Sequence, residues 1–289
     1  MNGLQKERRP AWEKLIEDIT SSIGARFEPS FPELRTFLLF VGYPRSGHTL
    51  IGSLLDAHPN ILLAHEQDVL YYAKRAYSAR QISYLLKKSN RAFTKGGRKW
   101  MGYNYAVSGQ WQGRYEQLLV LGDKSGGRTS RRLLQEDSLD VLYRLEKRIN
   151  APIVFLHIIR NPFDIVTTMM KRTTNRRNLE VSEKEINKKI RHFLQHAEAV
   201  DQLKNHSPYK IIDVYFEEFV ENVPLQLSQI LEHIGMKSNE AYLKACNDLV
   251  WKKPKTTRNE TDLWHAKRIE DFSRKLKAFD WFERYSFDN

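Results

Sequence analysis

The residues best suited to chemistry in this 289-residue chain are GYPRSGHT, 42–49. They follow the apolar run FLLFVG (37–42) and open the helical pattern TLIGSLLDAH (49–58). A strand-to-helix turn of this kind points backbone N–H groups and a helix N-terminus at one spot, which suits an anion. Gly42 and Gly47 have the spacing of the nucleotide loop G-x-x-x-x-G-K-[ST], and Ser46 and Thr49 add hydroxyls. The lysine position is His48. That lysine normally reaches the outer phosphates of a nucleoside triphosphate, so its absence argues against an ATPase or GTPase. Arg45 sits inside the loop instead. A second arginine, Arg160, ends the apolar run IVFLHIIR (153–160) with its fork available for a terminal phosphate. The alternative is that Arg160–Asn161–Pro162 only ends a strand, with Asp164 in the first turn of a helix.

Other candidates stand at comparable places. Lys124 follows LLVLGD; it is either a cation for a leaving group or a solvated lysine. His65 and Glu66 lie just past a second short apolar run, NILLA, and on an alternating strand only one of them enters a site. His192 and His196 form H-x-x-x-H on a helical pattern with no third ligand apparent, so an exposed polar face is expected and no metal site. His157 falls within an apolar strand and reads as a core histidine. G-x-S-x-G is absent, which leaves a hydrolase little support.

The elements that must position these residues recur as a short apolar run followed by a helix. Besides the two above, LLVLG (118–122) precedes a helical pattern over 133–149, and YKIIDVYF (209–216) precedes PLQLSQILEHIG (224–235). In the last, Pro224 suits a first turn and Gly235 a stop. A further amphipathic helix is expected over about 182–204. Alternation of this kind predicts an α/β fold with a central parallel sheet flanked by helices. No linker divides the chain, so 1–289 reads as one domain. Only 71–121 breaks the rhythm, and it is expected to be a cap or insertion at the C-terminal edge of the sheet.

At the loop, PRSGHTLIGSLLDAHPNI resembles the 5′-phosphosulfate loop of sulfotransferases that use 3′-phosphoadenosine 5′-phosphosulfate, PAPS. It departs at His48, where that family usually has threonine, and at Leu50, where many members have tryptophan. IIRNPFDIVTTM resembles the family's 3′-phosphate segment, with Arg160 in the arginine position and Thr168 replacing the usual serine. DVYFEEFVENVPLQLSQILEHIG (213–235) is similar to a late strand–helix segment of the family. There Tyr215 either lines the nucleotide site or is a core tyrosine. KKPKTTRNETDLW (252–264) stands where the family closes a basic loop over the 3′-phosphate; Arg258 takes that role, or the loop is simply solvated.

The resemblance implies a single P-loop-type sulfotransferase domain, with PAPS as co-substrate, PAP as product and no metal. It places Arg45, Ser46, Gly47, His48, Thr49, Arg160, Thr168, Tyr215 and Arg258 around the nucleotide. Arg45 and Lys124 would neutralise the leaving group. Glu66, 21 residues after Arg45, stands where branches that sulfate glycans or protein tyrosine carry a glutamate base. His65 is the alternative base. The implied acceptor is a hydroxyl on a small molecule, sugar or tyrosine, neutral or acidic.

Composition bounds these readings. The chain carries 47 Lys+Arg against 35 Asp+Glu, a net +12, with 41% hydrophobic residues, which excludes wholesale disorder. Its one cysteine, Cys246, cannot form an internal disulfide. No apolar run approaches the roughly 20 residues of a membrane span and the start has no signal-like apolar core, so a soluble, cytoplasmic protein with no membrane partner is expected. Residues 71–121 hold ten Lys/Arg, one acid and ten of the 33 aromatics. That concentration keeps two other functions open: a non-catalytic nucleic-acid-binding protein using 71–121, and a nucleotide kinase on the same loop. If the segment caps the site, its charge is expected to attract the anionic donor and an acidic acceptor, with Lys95, Arg98 and Lys99 among its cations.

Overall fold

The computed structural model describes residues 10–29, 33–177, 182–251, 253 and 255–289. Seven strands run in chain order: β1 (Thr36–Gly42), β2 (Ile61–Ala64), β3 (Lys99–Trp100), β4 (Tyr103–Asn104), β5 (Val120–Asp123), β6 (Ile153–Ile159) and β7 (Lys210–Tyr215). Five form an all-parallel sheet in the order β2-β5-β1-β6-β7, while β3 and β4 make a small antiparallel ribbon. Every residue of β1 and β6 is buried. Apart from Thr36 and His157 both strands are apolar, because helices cover both faces, so neither alternates with polar residues.

The pleat divides the core in two. Phe37, Leu39 and Val41 of β1 join Phe155 and Ile159 on one face, against Phe163, Phe193 and Phe272. Leu38 and Phe40 join Leu156 and Ile158 on the other, against Leu54, Leu227 and Ile230. After β1 the chain crosses to β2, returns through β5 and then passes to β6 on the far side. The strand order therefore reverses beside β1, and a crevice opens at the C-terminal ends there.

The helix expected over 133–149 is two helices, Gly126–Leu133 and Ser138–Ile149. The Ser138 hydroxyl donates to the Leu133 carbonyl at 3.0 Å, and the Lys74 ammonium to Gln135 at 3.1 Å and Asp137 at 2.9 Å. The Ser138 side chain takes up a backbone carbonyl that a continuous helix would have used, and Lys74 bridges the side chains of the interruption.

Most of 71–121 is not at the C-terminal edge. Its main element is the helix Ala79–Lys95, closed at its start by a Ser78–Gln81 capping box. It buries Ile82, Leu85 and Leu86 in the core. Only the β3–β4 ribbon reaches the mouth of the crevice, through residues 100–105. Arg98 holds that ribbon down: its guanidinium meets Asp56 at 2.6 Å, and both side chains are buried. Asp56 also accepts from Asn90 at 2.6 Å and from the Leu63 amide at 2.8 Å. The cation expected to attract ligand is thus spent on structure.

Candidate active site

A cavity of about 1140 Å³ lies at the C-terminal ends of β1, β5 and β6, roofed by the ribbon. The 42–49 loop forms its floor. Gly47 has φ 111°, and a Cβ there would come within 2.3 Å of the Phe216 ring, so only glycine fits. Arg45 also takes a left-handed backbone, φ 77°, uncommon for a side-chain-bearing residue. Strain at a ligand loop of this kind is held by its surroundings. Here the Arg45 carbonyl accepts from Arg160 Nη1 at 3.2 Å.

Lys124 is the centre of the polar set. It leaves the end of β5, is 4% exposed, and its Nζ lies 2.8 Å from Thr49 Oγ1 and 3.0 Å from Glu66 Oε1. A loop that lacks its own lysine therefore receives an ammonium from across the sheet. Burial lowers the Lys124 pKa, and Glu66 partly offsets this. For Glu66 burial acts upward, but Lys124 outweighs it and His65 and Arg128 add to it, so the carboxyl falls below its usual range. Glu66 sits in a turn with φ 61°. The buried Asp123 shapes that turn, accepting from the Gln67 amide at 3.0 Å and the Val69 amide at 3.1 Å.

Two arginines face the cavity with unused donors. Arg160 passes over the Phe216 ring at 5.3 Å and also donates to the Lys255 carbonyl. Arg45 has only Met101 Sδ, 2.8 Å from its Nη1. Among the described residues, the buried Nε of each has no hydrogen-bond partner. Burial lowers the pKa of both; for Arg45, Arg172 and Arg160 lower it further. Buried donors crowded with like charges make a site suited to an anion.

The other predicted residues fall into two groups. His48 lines the cavity but is not a cation. Burial, then Lys124, takes its pKa to about 3, and its Nε2 lies 3.3 Å from both the Val41 carbonyl and Ser46 Oγ. Its ring fills the space that a Cβ on Gly126 would need, 2.2 Å from His48 Cε1. Ser46 is buried and donates to the Tyr43 carbonyl at 3.0 Å. Thr168 meets Thr257, hydroxyl to hydroxyl, at 3.0 Å. Arg258 turns inward to pair with Asp164 at 2.8 Å, and Tyr215 lies under the Arg284 guanidinium at 4.4 Å. Neither reaches the cavity lining. His65 faces away from it, stacked on Phe93 with centroids 3.8 Å apart.

His192 and His196 are not an exposed face: His196 is buried, with Nδ1 2.7 Å from the His192 carbonyl and Nε2 3.1 Å from that of Gly127. Among the described residues no group of three or more His, Cys, Asp or Glu is arranged to hold a metal ion. His157 joins Asp213 at 2.9 Å and Tyr43 at 3.3 Å within the core.

Sequence reasoning passed over several wall residues: Trp100, Tyr103, Tyr105, Arg128, Arg172 and Lys255. The ribbon had a signal in GGRKWMGYNY, where glycines flank aromatics at a turn. Arg172 had none, since folding alone brings it near Arg45; Lys255 lies within the basic loop 252–264, where the resemblance points to Arg258 instead.

Residues 38–240 match the model of a family described as the sulfotransferase family. No curated protein matches the chain by sequence. Among solved structures, the sulfotransferase STF9 from Mycobacterium avium has a TM-score of 0.51 and 11% identity, covering 92% of this chain and 81% of that one. A sulfotransferase from Alicyclobacillus acidocaldarius has a TM-score of 0.49 and 13% identity, over 89% and 100% of the two chains. Mouse SULT7A1, complexed with PAP, has a TM-score of 0.44 and 15% identity, over 86% of each.

Proposed function

The chain belongs to the sulfotransferase family, and we propose that it moves the sulfuryl group of PAPS to an acceptor hydroxyl, with Glu66 as base. The observation that carries this reading is the Thr49–Lys124–Glu66 chain, with contacts of 2.8 and 3.0 Å, beside a loop shaped for an anion.

The cavity fits such a co-substrate. The unpaired Nε groups of Arg45 and Arg160 suit the two ends of a nucleotide with phosphates at its 5′ and 3′ positions. Gly47 and the amides of 47–49 open the helix His48–Leu55 and give the 5′ end a cradle without a side chain in the way. Phe216, beneath Arg160, keeps that guanidinium flat and turned into the cavity.

Transfer breaks the bond from sulfur to the phosphate oxygen and forms one to the acceptor oxygen. Three duties follow for the protein. Arg45 and Lys124 neutralise the charge that grows on the phosphate oxygen. Glu66 accepts the acceptor's proton; held low by Lys124, it remains ionised and ready. The ribbon, with Trp100, Tyr103 and Tyr105, covers the reacting groups and limits water. The neutral His48 supplies no cation for a triphosphate, which weighs against a kinase. A nucleic-acid-binding reading leaves the pair of the buried Lys124 with Glu66 at the cavity without a task.

The test compares thermal stabilisation by PAP with that by ATP and Mg²⁺, then screens hydroxyl acceptors with labelled PAPS. Stabilisation by PAP together with transfer lost in Glu66→Gln is expected. Preference for ATP with Mg²⁺, or near-normal turnover of Glu66→Gln, would overturn the proposal.

A further inference from the structure

The helix Ala11–Ala25 is amphipathic in the wrong sense for a helix on a protein surface. At about 100° per residue, Trp12, Leu15, Ile16, Ile19 and Ile23 share one face, and Phe27 follows just past its end. All six point to solvent, from 50% exposed at Ile19 to 83% at Phe27. The opposite face, which packs on the protein, is polar or small. Glu17 accepts from the Tyr72 hydroxyl at 2.6 Å, and Asp18 from Arg75 at 3.0 Å and from Tyr77. Ser21 is fully buried, and Gly24 lies so close to Tyr84 that a Cβ would fall 2.2 Å from its ring. Soluble helices bury the apolar stripe and expose the polar one. This helix is fixed by hydrogen bonds on its polar side and leaves an apolar ridge of four turns in water.

What could cover the ridge is set by the charge beside it. The helix Ala79–Lys95 carries the ridge helix on its outer side, with Tyr84 beneath Gly24 and Gln81 Nε2 donating to Ser22 Oγ at 3.1 Å. That outer side continues from Tyr84 at helical spacing as Lys88, Arg91 and Lys95, with Arg80 one turn before. All four cations are exposed, and none has an ion-pair partner among the described residues. The Lys88 ammonium rests 5.9 Å from the Tyr84 ring, held toward the same side. Glu13 is the one acid of the ridge helix outside its inward face. An apolar ridge flanked by a basic row matches an anionic lipid surface, where the ridge enters the acyl boundary and the cations meet headgroups. A symmetric contact between two copies would bring the same basic rows together, a repulsion the lipid surface does not impose.

We infer that this face docks the protein onto an anionic membrane surface, with Trp12, Ile16, Ile19 and Ile23 inserted at the interface and Arg80, Lys88, Arg91 and Lys95 on the headgroups. The helix lies on the surface rather than crossing it; no described helix is long and apolar enough to span a bilayer. The inference stands apart from the proposed transfer reaction, because none of these residues lines the cavity.

Flotation of the full-length chain with phosphatidylcholine vesicles, with and without 30% phosphatidylserine by composition of the probe, tests it. The chain is expected to float with the anionic vesicles, less so as salt rises and weakly with phosphatidylcholine alone. I16D/I19D should abolish flotation. K88S/R91S/K95S should weaken partitioning on the order of a hundredfold, at about fivefold per cation. Both variants should keep the parent's melting point and its stabilisation by PAP. Trp12 fluorescence, taken as the difference between parent and W12F, should shift blue on vesicles. No flotation at low salt, or flotation undiminished by I16D/I19D, would overturn the inference. So would light scattering showing a lipid-free dimer that I16D/I19D dissolves, since a second copy would then own the ridge.

Discussion

Two regions of this protein are strongly positive, and they are built in opposite ways. The cavity draws its cations from separate elements: Arg45 from the loop, Lys124 and Arg160 from strand ends, Arg128 and Arg172 from two helices, Lys255 from a late loop. The outer row of Arg80, Lys88, Arg91 and Lys95 comes from one helix. Cavity cations are partly desolvated and oriented by backbone carbonyls, as Arg160 is by those of Arg45 and Lys255. The outer ones are long side chains in water, free to meet any anionic surface. Charges dense in sequence share an exterior face, while charges that converge on a small ligand arrive from strand ends far apart in the chain. The basic segment 71–121 belongs mostly to the first kind, with Lys87 and Arg98 buried in ion pairs, and none of its ten cations lines the cavity.

The contrast is sharpened most by the residue with the largest expected effect. Glu66→Gln should lower turnover by about 10³, in the range for loss of a general base, with PAP affinity within a few-fold of the parent. Lys124→Met should cost roughly 10² in turnover, and it carries a pH signature. Lys124 is what holds the Glu66 carboxyl below its usual range against the upward pull of burial. Without it the carboxyl takes up a proton at higher pH, so the acidic limb of the kcat/KM profile moves upward. An unmoved limb would separate Glu66 from the essential ionisation.

Arg160→Lys keeps the charge but loses the fork, and should weaken PAP binding about tenfold, measured by calorimetry. Arg98→Met tests the borderline member, a cation of the basic segment that is buried. It leaves Asp56 without its cation, and a broken buried pair costs about 3–5 kcal/mol. The melting point should fall by roughly 10 °C, with PAP affinity little changed. The smallest effect is the most telling: K88S/R91S/K95S should leave kcat/KM for PAPS unaltered. A clear loss would erase the distinction between the two regions.

Strand-level features were legible because their physics is local. The apolar runs at β1, β6 and β7 and the glycine spacing of the 42–49 loop needed only short-range pattern. The convergence of Lys124 with Glu66 was legible in part, since both follow strands that a parallel sheet must open at one edge. The inward turn of Arg258 was not: it depends on Asp164, whose carboxylate also takes the Thr257 amide at 2.6 Å and the Arg258 amide at 2.8 Å. The break between Leu133 and Ser138 was hidden because QEDS fits a helix by residue type, while the Ser138 hydroxyl on the Leu133 carbonyl and the contacts with Lys74 hold the interruption. Which side of the helix Ala11–Ala25 meets the protein is decided by tyrosines and an arginine more than 50 residues away, which no local pattern reveals.

The Arg98–Asp56 tie also bears on how such a scaffold could be repurposed. The β3–β4 ribbon is a short excursion, fastened at its base by one ion pair and contributing only its tip, 100–105, to the wall. The groups that would hold the nucleotide and move the proton hang from other parts of the chain. An engineer could therefore exchange the ribbon's aromatic tip to select a new acceptor while leaving Arg98, and the machinery beneath it, untouched.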